Sequence, residues 1–305
     1  MSPLKSAVQT VITTVLGVGP LRTGVRRLSM SGRVSRKVWA RLPVSDEFRV
    51  ELGGGRSFRY APAFGDHIGR ALYWRGIHEW EASTVLPFLE LARTAGHFLD
   101  IGANTGVYTL MAAAANPALT AVAYEPVPRI QERLRANLAL NGLDGRCTVR
   151  GVAVANRASR ARLHVPSVAL PSSASLSEQG FHGKAGELVE VDVVTVDAEQ
   201  EGRPRVDLVK IDVEGFEDQV IEGMAKTLAA DRPVVVVECN PDGPYEAVER
   251  LMRSHDYRFV HLRAPAPVSM PRIEPDPAER ERNYLFVPAE REAEVLARIG
   301  AAGRA

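Results

Sequence analysis

Residues Phe98-Leu99-Asp100-Ile101-Gly102-Ala103-Asn104-Thr105-Gly106 constrain this chain more than any other segment. An apolar strand runs into a glycine turn, and the helix-forming run Val107 to Ala115 follows at once. This is the first strand–turn–helix of an open α/β sheet, in which ligands bind beyond the carboxyl ends of the strands. Gly102 and Gly106 stand four apart. A dinucleotide fingerprint needs three glycines in the tighter pattern Gly-x-Gly-x-x-Gly. The wider spacing points away from a pyrophosphate and toward a nucleoside whose tail is a small amino acid.

Strand and helix signals then alternate. Phe98 to Ile101, Thr120 to Tyr124, Thr148 to Val154, Asp207 to Ile211 and Val234 to Val237 read as strands one to five. The valine run of strand five is typical of a strand buried on both faces. Pro128 to Leu140 reads as a helix closed by Asn141-Gly142, a good C-terminal cap. Phe216 to Leu228 and Tyr245 to Ser254 are helical, and so are residues 78–95. Tyr257 to Leu262 and Tyr284 to Val287 are the last strands. Alternation of this kind argues for a mostly parallel, doubly wound sheet. Two segments interrupt it. Residues 166–187, rich in Ser, Gly and Ala, fit a loop or lid, and residues 264–278, with five prolines, fit a rigid surface excursion.

The first 75 residues read as an irregular extension. Gly53-Gly54-Gly55 marks a turn between short strands Phe48 to Leu52 and Ser57 to Tyr60. Leu4, Val8, Val11, Ile12, Val15 and Leu16 recur at helical spacing, but Gln9, Thr10, Thr13 and Thr14 dilute the run. It is too short and too polar for a membrane span and lacks the features of a signal peptide. The reading preferred is a helix packed on the core or on a partner. Arg22, Arg26 and Arg27 leave weak contact with an anionic membrane surface as the alternative. A net charge of +1 gives no basic footprint for nucleic acid. Cys147 and Cys239 lack metal-pair spacing and read as buried free thiols of a reducing, cytoplasmic compartment.

Two further anchors carry chemistry. Glu125 ends strand two, nineteen residues after Gly106, and Pro126 fixes the backbone beyond it. An acid at this place in nucleoside-binding sheets accepts hydrogen bonds from both ribose hydroxyls. Lys210-Ile211-Asp212-Val213-Glu214-Gly215-Phe216-Glu217 ends strand four. Lys210 and Asp212 share one face of the strand. A lysine inside an apolar strand needs a partner, and Asp212, Glu214 and Glu238, at the end of strand five, are the candidates. The group reads either as a buried ion pair or as the polar floor of a site.

Phe98 to Tyr108, Tyr124-Glu125-Pro126, Val206 to Glu217 and Asn283 to Pro288 together resemble the FkbM family of S-adenosylmethionine-dependent methyltransferases. The resemblance is collinear from about residue 79 to residue 288. It implies an α/β class I methyltransferase (Rossmann-like) fold, a doubly wound seven-stranded sheet with an antiparallel last strand. Residues 76–290 would form that domain, residues 1–75 an N-terminal extension and residues 291–305 a C-terminal helical tail. It also implies S-adenosyl-L-methionine as cofactor and a hydroxyl of a small natural product or a sugar or glycan as acceptor. Asp100, Gly102, Ala103, Asn104 and Gly106 would shape the methionine and ribose end of the pocket, with Glu125 and Pro126 at the ribose. At Gly102 a side chain would collide with the ligand. Val152 and Ala153 would lie near the adenine, where many such enzymes carry an acid and this chain has none.

Methyl transfer to oxygen needs in-line alignment and a base for the hydroxyl proton. Asp212 is the first candidate, being placed beside the cofactor turn and able to touch the cofactor as well. Glu214 and Glu238 follow, and Lys210 completes the catalytic set. A metal on Asp212 and Glu238 is the minority alternative. His182 in the serine-rich loop is the best placed histidine, while His78, His97, His255 and His261 read as packing or surface residues. Two rival functions are a catalytically silent cofactor-binding scaffold and a nucleotide-linked oxidoreductase. The missing third glycine counts against the oxidoreductase, and the joint presence of Asp100, Glu125, Lys210 and Asp212 counts against the scaffold.

Overall fold

A computed structural model describes residues 19–63, 65–77, 80–166 and 186–302. The apolar run at residues 4–16, His78 and the body of the serine-rich segment with His182 lie outside them. The chain divides into two compact units, residues 1–82 and 83–305.

In the first unit the expected hairpin forms, β1 (Phe48–Gly53) antiparallel to β2 (Arg56–Tyr60). The described part of this unit is not otherwise irregular. Helices span Gly19–Met30, Arg36–Trp39 and His67–Arg75. Asp66 caps the last of these: its carboxylate accepts from the Gly69 amide at 2.8 Å and from the Tyr60 hydroxyl at 2.7 Å. The apolar spacing here is interrupted by arginines, which hid the helices from a periodicity reading.

The second unit is built on one large sheet. Its strands in chain order are β3 (His97–Ile101), β4 (Thr120–Tyr124), β5 (Cys147–Arg150), β9 (Leu208–Ile211), β10 (Val234–Glu238), β11 (Tyr257–His261), β12 (Val268–Met270) and β13 (Asn283–Pro288). The intervening β6 (Ala153–Val154), β7 (Ser159–Pro166) and β8 (Gly186–Val194) form a separate three-stranded sheet. Across the large sheet the order is β12-β11-β13-β10-β9-β3-β4-β5. Strands β5, β4, β3, β9 and β10 are parallel, and β13 enters antiparallel between β10 and β11. The order reverses on either side of β3 and β9, which defines a crevice at their carboxyl ends. β3, β9, β10 and β13 are buried along their whole length. That is the expected state of strands covered by helices on both faces.

Three expectations are corrected. The sheet has eight strands, not seven. The proline-rich stretch after β11 contributes Val268–Met270, antiparallel to β11, and sits at the sheet edge, where missing amide donors are tolerated. Strand three does not run to Val154. It stops at Arg150, and Ala153–Val154 pair instead with β8. The helix expected from Phe216 to Leu228 is two helices, Glu217–Glu222 and Ala225–Ala230. Any Cβ on Gly223 between them would run into the Ala155 carbonyl oxygen. Asp197 caps the second helix through the amides of Lys226 and Thr227, at 3.0 and 2.9 Å.

Both cysteines are buried free thiols. No helix among the described residues is long and apolar enough to cross a membrane.

Candidate functional site

The site is assembled where β3, β4, β9 and β10 end. Beyond Ile101 the chain must turn sharply, and it does so through left-handed backbone at Gly102, Asn104 and Gly106, with φ of 81°, 49° and 86°. The amides of Gly102 and Ala103 both donate to the Tyr124 carbonyl, at 3.0 and 2.9 Å, so the turn is fastened to the end of β4. Gly102 is required here by the fold itself. A Cβ at this position would collide with the backbone carbonyl oxygen of Asp212, so the close neighbour is the protein's own chain. Gly106 caps the following helix, Val107–Ala115, and Leu134 occupies the space its side chain would need.

Asp100 faces that helix. Its Oδ2 accepts from the Thr109 amide at 3.0 Å and the Thr109 hydroxyl at 2.6 Å. Burial raises its carboxyl to about 6, against the pull of Thr109 and of Lys210. Glu125 is likewise buried. One oxygen accepts from the Asn104 amide at 3.0 Å, the other from the Val127 amide at 2.9 Å. Each oxygen therefore keeps a lone pair. Burial lifts this carboxyl to about 7 in spite of the two amides. Pro126 follows, and its carbonyl accepts from Gln131.

Lys210 is in register with Asp100 across the β3–β9 ladder and is 1% exposed. Its Nζ lies 3.6 Å from Asp212 Oδ2, donates to the Ile211 carbonyl at 3.3 Å and stands 5.3 Å from the centre of the Tyr108 ring. Asp212 reaches the surface of the crevice with its side chain 33% exposed. Burial alone would raise its pKa, but Lys210 and a hydrogen bond with Glu238 outweigh that and lower it. Glu238 moves the other way. Burial and the Asp212 charge push it up, so this pair shares one proton, held on Glu238. Arg282 Nη1 lies 2.5 Å from Glu238 Oε1. Glu214 sits on left-handed backbone, φ 52°, in a loop folded around Glu217, whose Oε1 accepts from the amides of Val213 and Gly215. Burial and then the Asp212 charge raise Glu214 to about 7.

Over residues 100–259, more than half of its length, the chain matches the methyltransferase FkbM domain. The chain belongs to the FkbM methyltransferase family. Its similar proteins include the 31-O-demethyl-FK506 methyltransferase FkbM of Streptomyces tacrolimicus, 30% identical over 192 residues, covering 53% of this chain and 72% of that protein. Methyltransferase sdnD of Sordaria araneosa is 27% identical over 198 residues, 54% of this chain and 75% of that protein. Among solved structures, methyltransferase FkbM from Methylobacillus flagellatus KT is 13% identical with a TM-score of 0.43, and the match covers 63% of this chain and 43% of that one.

As an FkbM methyltransferase the chain uses S-adenosylmethionine. The residues fit that molecule on two observations. Glu125 holds unspent acceptor capacity beside the glycine turn, and the turn itself is fastened by backbone hydrogen bonds to the end of β4. The candidates Asp100, Gly102, Ala103, Asn104, Gly106, Glu125, Lys210, Asp212, Glu214 and Glu238 lie at the ends of neighbouring strands. Of the other two candidates, Val152 packs against the core of the large sheet that includes Ile101 and Tyr124, and Ala153 packs with Leu163, Val191 and Val193 in a small second core. Two residues, Arg282 and Asn240, escaped the sequence reading, and Glu217 entered it only as part of a motif with no role of its own. Arg282 is brought to Glu238 only by the antiparallel return of β13; the unmet charge of Glu238 was the available signal. Glu217 organises the Asp212–Gly215 loop. Asn240, two residues past Glu238, has a buried side-chain oxygen without a partner among the described residues.

Proposed function

We propose that this FkbM methyltransferase transfers a methyl group to a hydroxyl of a small natural product or a sugar. The observation that carries the reading is the group of three carboxylates of unequal proton affinity, Asp212, Glu214 and Glu238, beside the nucleoside-binding turn. The similar protein of Streptomyces tacrolimicus is a 31-O-demethyl-FK506 methyltransferase, which supports the same class. When bound, the cofactor supplies a methyl group already activated on sulfonium.

This chain's residues then have separate tasks. Glu125 accepts from the ribose hydroxyls. Gly102, Ala103, Asn104 and Gly106 let the backbone pass along the cofactor's methionine side, and Asp100 positions that turn through Thr109. Pro126 and Val152 border the nucleoside. Lys210 holds Asp212 ionised, and Glu238 stores a proton against it. A base works best with a pKa near the working pH. Glu214, at about 7, meets this condition better than Asp212, whose pKa is lowered. Glu214 therefore takes the hydroxyl proton, and Asp212 orients the acceptor and favours the positive charge that the methyl group carries.

The test is transfer of isotopically labelled methyl from S-adenosylmethionine to a panel of macrolide, polyketide and monosaccharide alcohols, with matched amines as controls. Labelled ethers are the expected product. Glu214→Gln should lower kcat by ~10²–10³ with KM little changed, and Asp212→Asn should lower both kcat and acceptor affinity. Label found only on amines overturns the oxygen acceptor, and an active Glu214→Gln enzyme overturns the base.

Glu125 gives a test that needs no acceptor. Ribose binding uses its ionised form, and the free carboxyl titrates at about 7. Affinity for S-adenosylhomocysteine should therefore weaken about tenfold from pH 8 to pH 6, as the group takes up its proton. Calorimetric titration of Glu125→Gln should show weaker binding at pH 8 and a flat profile.

A further inference from the structure

The first unit carries a surface that the methyltransferase chemistry does not use. Residues 19–45 hold seven basic side chains and no acidic one, in a chain whose net charge is only +1. The structure separates these cations into two sets. Arg22 is paired with Asp46 and Arg26 donates to the Tyr73 carbonyl at 2.9 Å, and both guanidinium groups stack on the Tyr73 ring. They are part of the fold. Arg27, Arg33, Arg36 and Lys37 are exposed, and none meets an acidic side chain among the described residues; the seventh, Arg41, spends a guanidinium N–H on the Lys37 carbonyl at 2.6 Å. The same stretch of chain carries Leu21, Leu28, Met30 and Val38, each about half exposed. Leu21 and Leu28 are seven apart on the helix Gly19–Met30 and so lie on one face of it.

Unpaired cations interleaved with exposed aliphatic side chains match a bilayer with anionic headgroups. The headgroups take the charges and the acyl boundary takes the aliphatic groups. A nucleic acid would use the cations but offers little to four aliphatic side chains. A second copy of this chain would bring like charges together. We infer that residues 21–38 form a docking surface for an anionic lipid bilayer, and that this surface is independent of the chemistry at the strand ends. Contact is reversible and peripheral, because four cations and four half-exposed aliphatic side chains amount to far less than a spanning helix.

The experiment is co-sedimentation of the full-length protein with sucrose-loaded vesicles of phosphatidylcholine alone or with 30 mol% phosphatidylglycerol, the latter fraction set by the experimenter at about the anionic content that gives a clear surface potential. Binding is expected to the anionic vesicles only and to fall steeply when salt is raised from about 0.1 M to about 0.5 M, as screening shortens the reach of each charge. Arg27→Gln/Arg33→Gln/Arg36→Gln/Lys37→Gln should weaken it by about two orders of magnitude or more, since each cation is worth about fivefold. Leu21→Ser/Leu28→Ser should weaken it with the salt dependence retained. Unchanged circular dichroism and S-adenosylhomocysteine binding in both variants keep the comparison one of surface alone. Equal sedimentation with neutral vesicles, no sedimentation with either, full binding by the fourfold variant, or a concentration-dependent dimer abolished by Leu21→Ser/Leu28→Ser would each overturn the inference.

Discussion

Gly102→Ala should lose about 2–5 kcal/mol of stability, with S-adenosylhomocysteine binding lost too. Two costs combine. Alanine in left-handed backbone is strained by ~1–2 kcal/mol, and φ at Gly102 is 81°. The new Cβ would also run into the Asp212 carbonyl oxygen, which is backbone and cannot rotate away. Relief requires the ends of β3 and β9 to part, and forcing extra atoms into a packed region costs a further ~1–3 kcal/mol. Gly142→Ala is the matched control. Gly142 has φ of 66° but open space where a Cβ would go, so only the backbone cost applies. Urea denaturation of both variants separates the two terms. Equal losses would show that the contact with Asp212 is not what selects glycine at position 102.

Lys210→Met should be as severe and should depend on pH. The substitution keeps length and apolar bulk but removes a charge that sits beside Asp212 and in register with Asp100. Removing one partner of a buried ion pair costs ~3–5 kcal/mol, and the lower end applies here because Asp212 is one third exposed while Asp100 is buried. Without Lys210 the folded-state pKa of Asp100, already raised by burial, climbs further, and Asp212 loses the charge that holds its pKa below the ordinary value, so that burial raises it too. A carboxyl whose pKa is raised by folding favours the folded state once protonated, and that benefit is lost as pH climbs through the folded pKa. The variant should accordingly be least stable near pH 8 and recover part of the loss near pH 5.5. Chemical denaturation at the two pH values, with wild type beside it, reads this directly. A loss that is the same at both would mean that Lys210 contributes packing and not charge.

Much of the parallel sheet was legible because its strands are short apolar runs followed by strong stop signals. Val107–Ala115, Pro128–Leu140 and Tyr245–Ser254 have the boundaries their sequences suggest. A glycine precedes the first of these, Pro128 opens the second, and Asn141-Gly142 closes it. What escaped notice depends on partners distant in sequence. Val152 to Val154 look like a continuation of strand three, and only the presence of β8 draws Ala153 and Val154 away. The hairpin of β7 and β8 is marked by alternation, with Leu163, Val165, Val191 and Val193 inward and Arg160, Arg162, Glu190 and Asp192 between them. The serine-rich segment between the two strands concealed the pairing. At the site, residue identities were legible but their order of proton affinity was not. Asp212 and Glu238 are both carboxylates at strand ends, and the burial of Glu238 together with the Lys210 charge beside Asp212 decides which of them holds the proton.

The small second core bears on how such a chain can diverge. Leu163, Val165, Val191 and Val193 pack against Val127, Ile130, Ala153 and Ala155, whereas the large sheet is held by a different set of side chains. A longer, shorter or rebuilt hairpin is thus answered by eight apolar residues and leaves the interior of the large sheet alone. Arg129, next to the start of the helix that follows Glu125, pairs with Glu187 at the open end of the hairpin. A change in the hairpin would thus be absorbed by a module of its own, set apart from the interior of the large sheet.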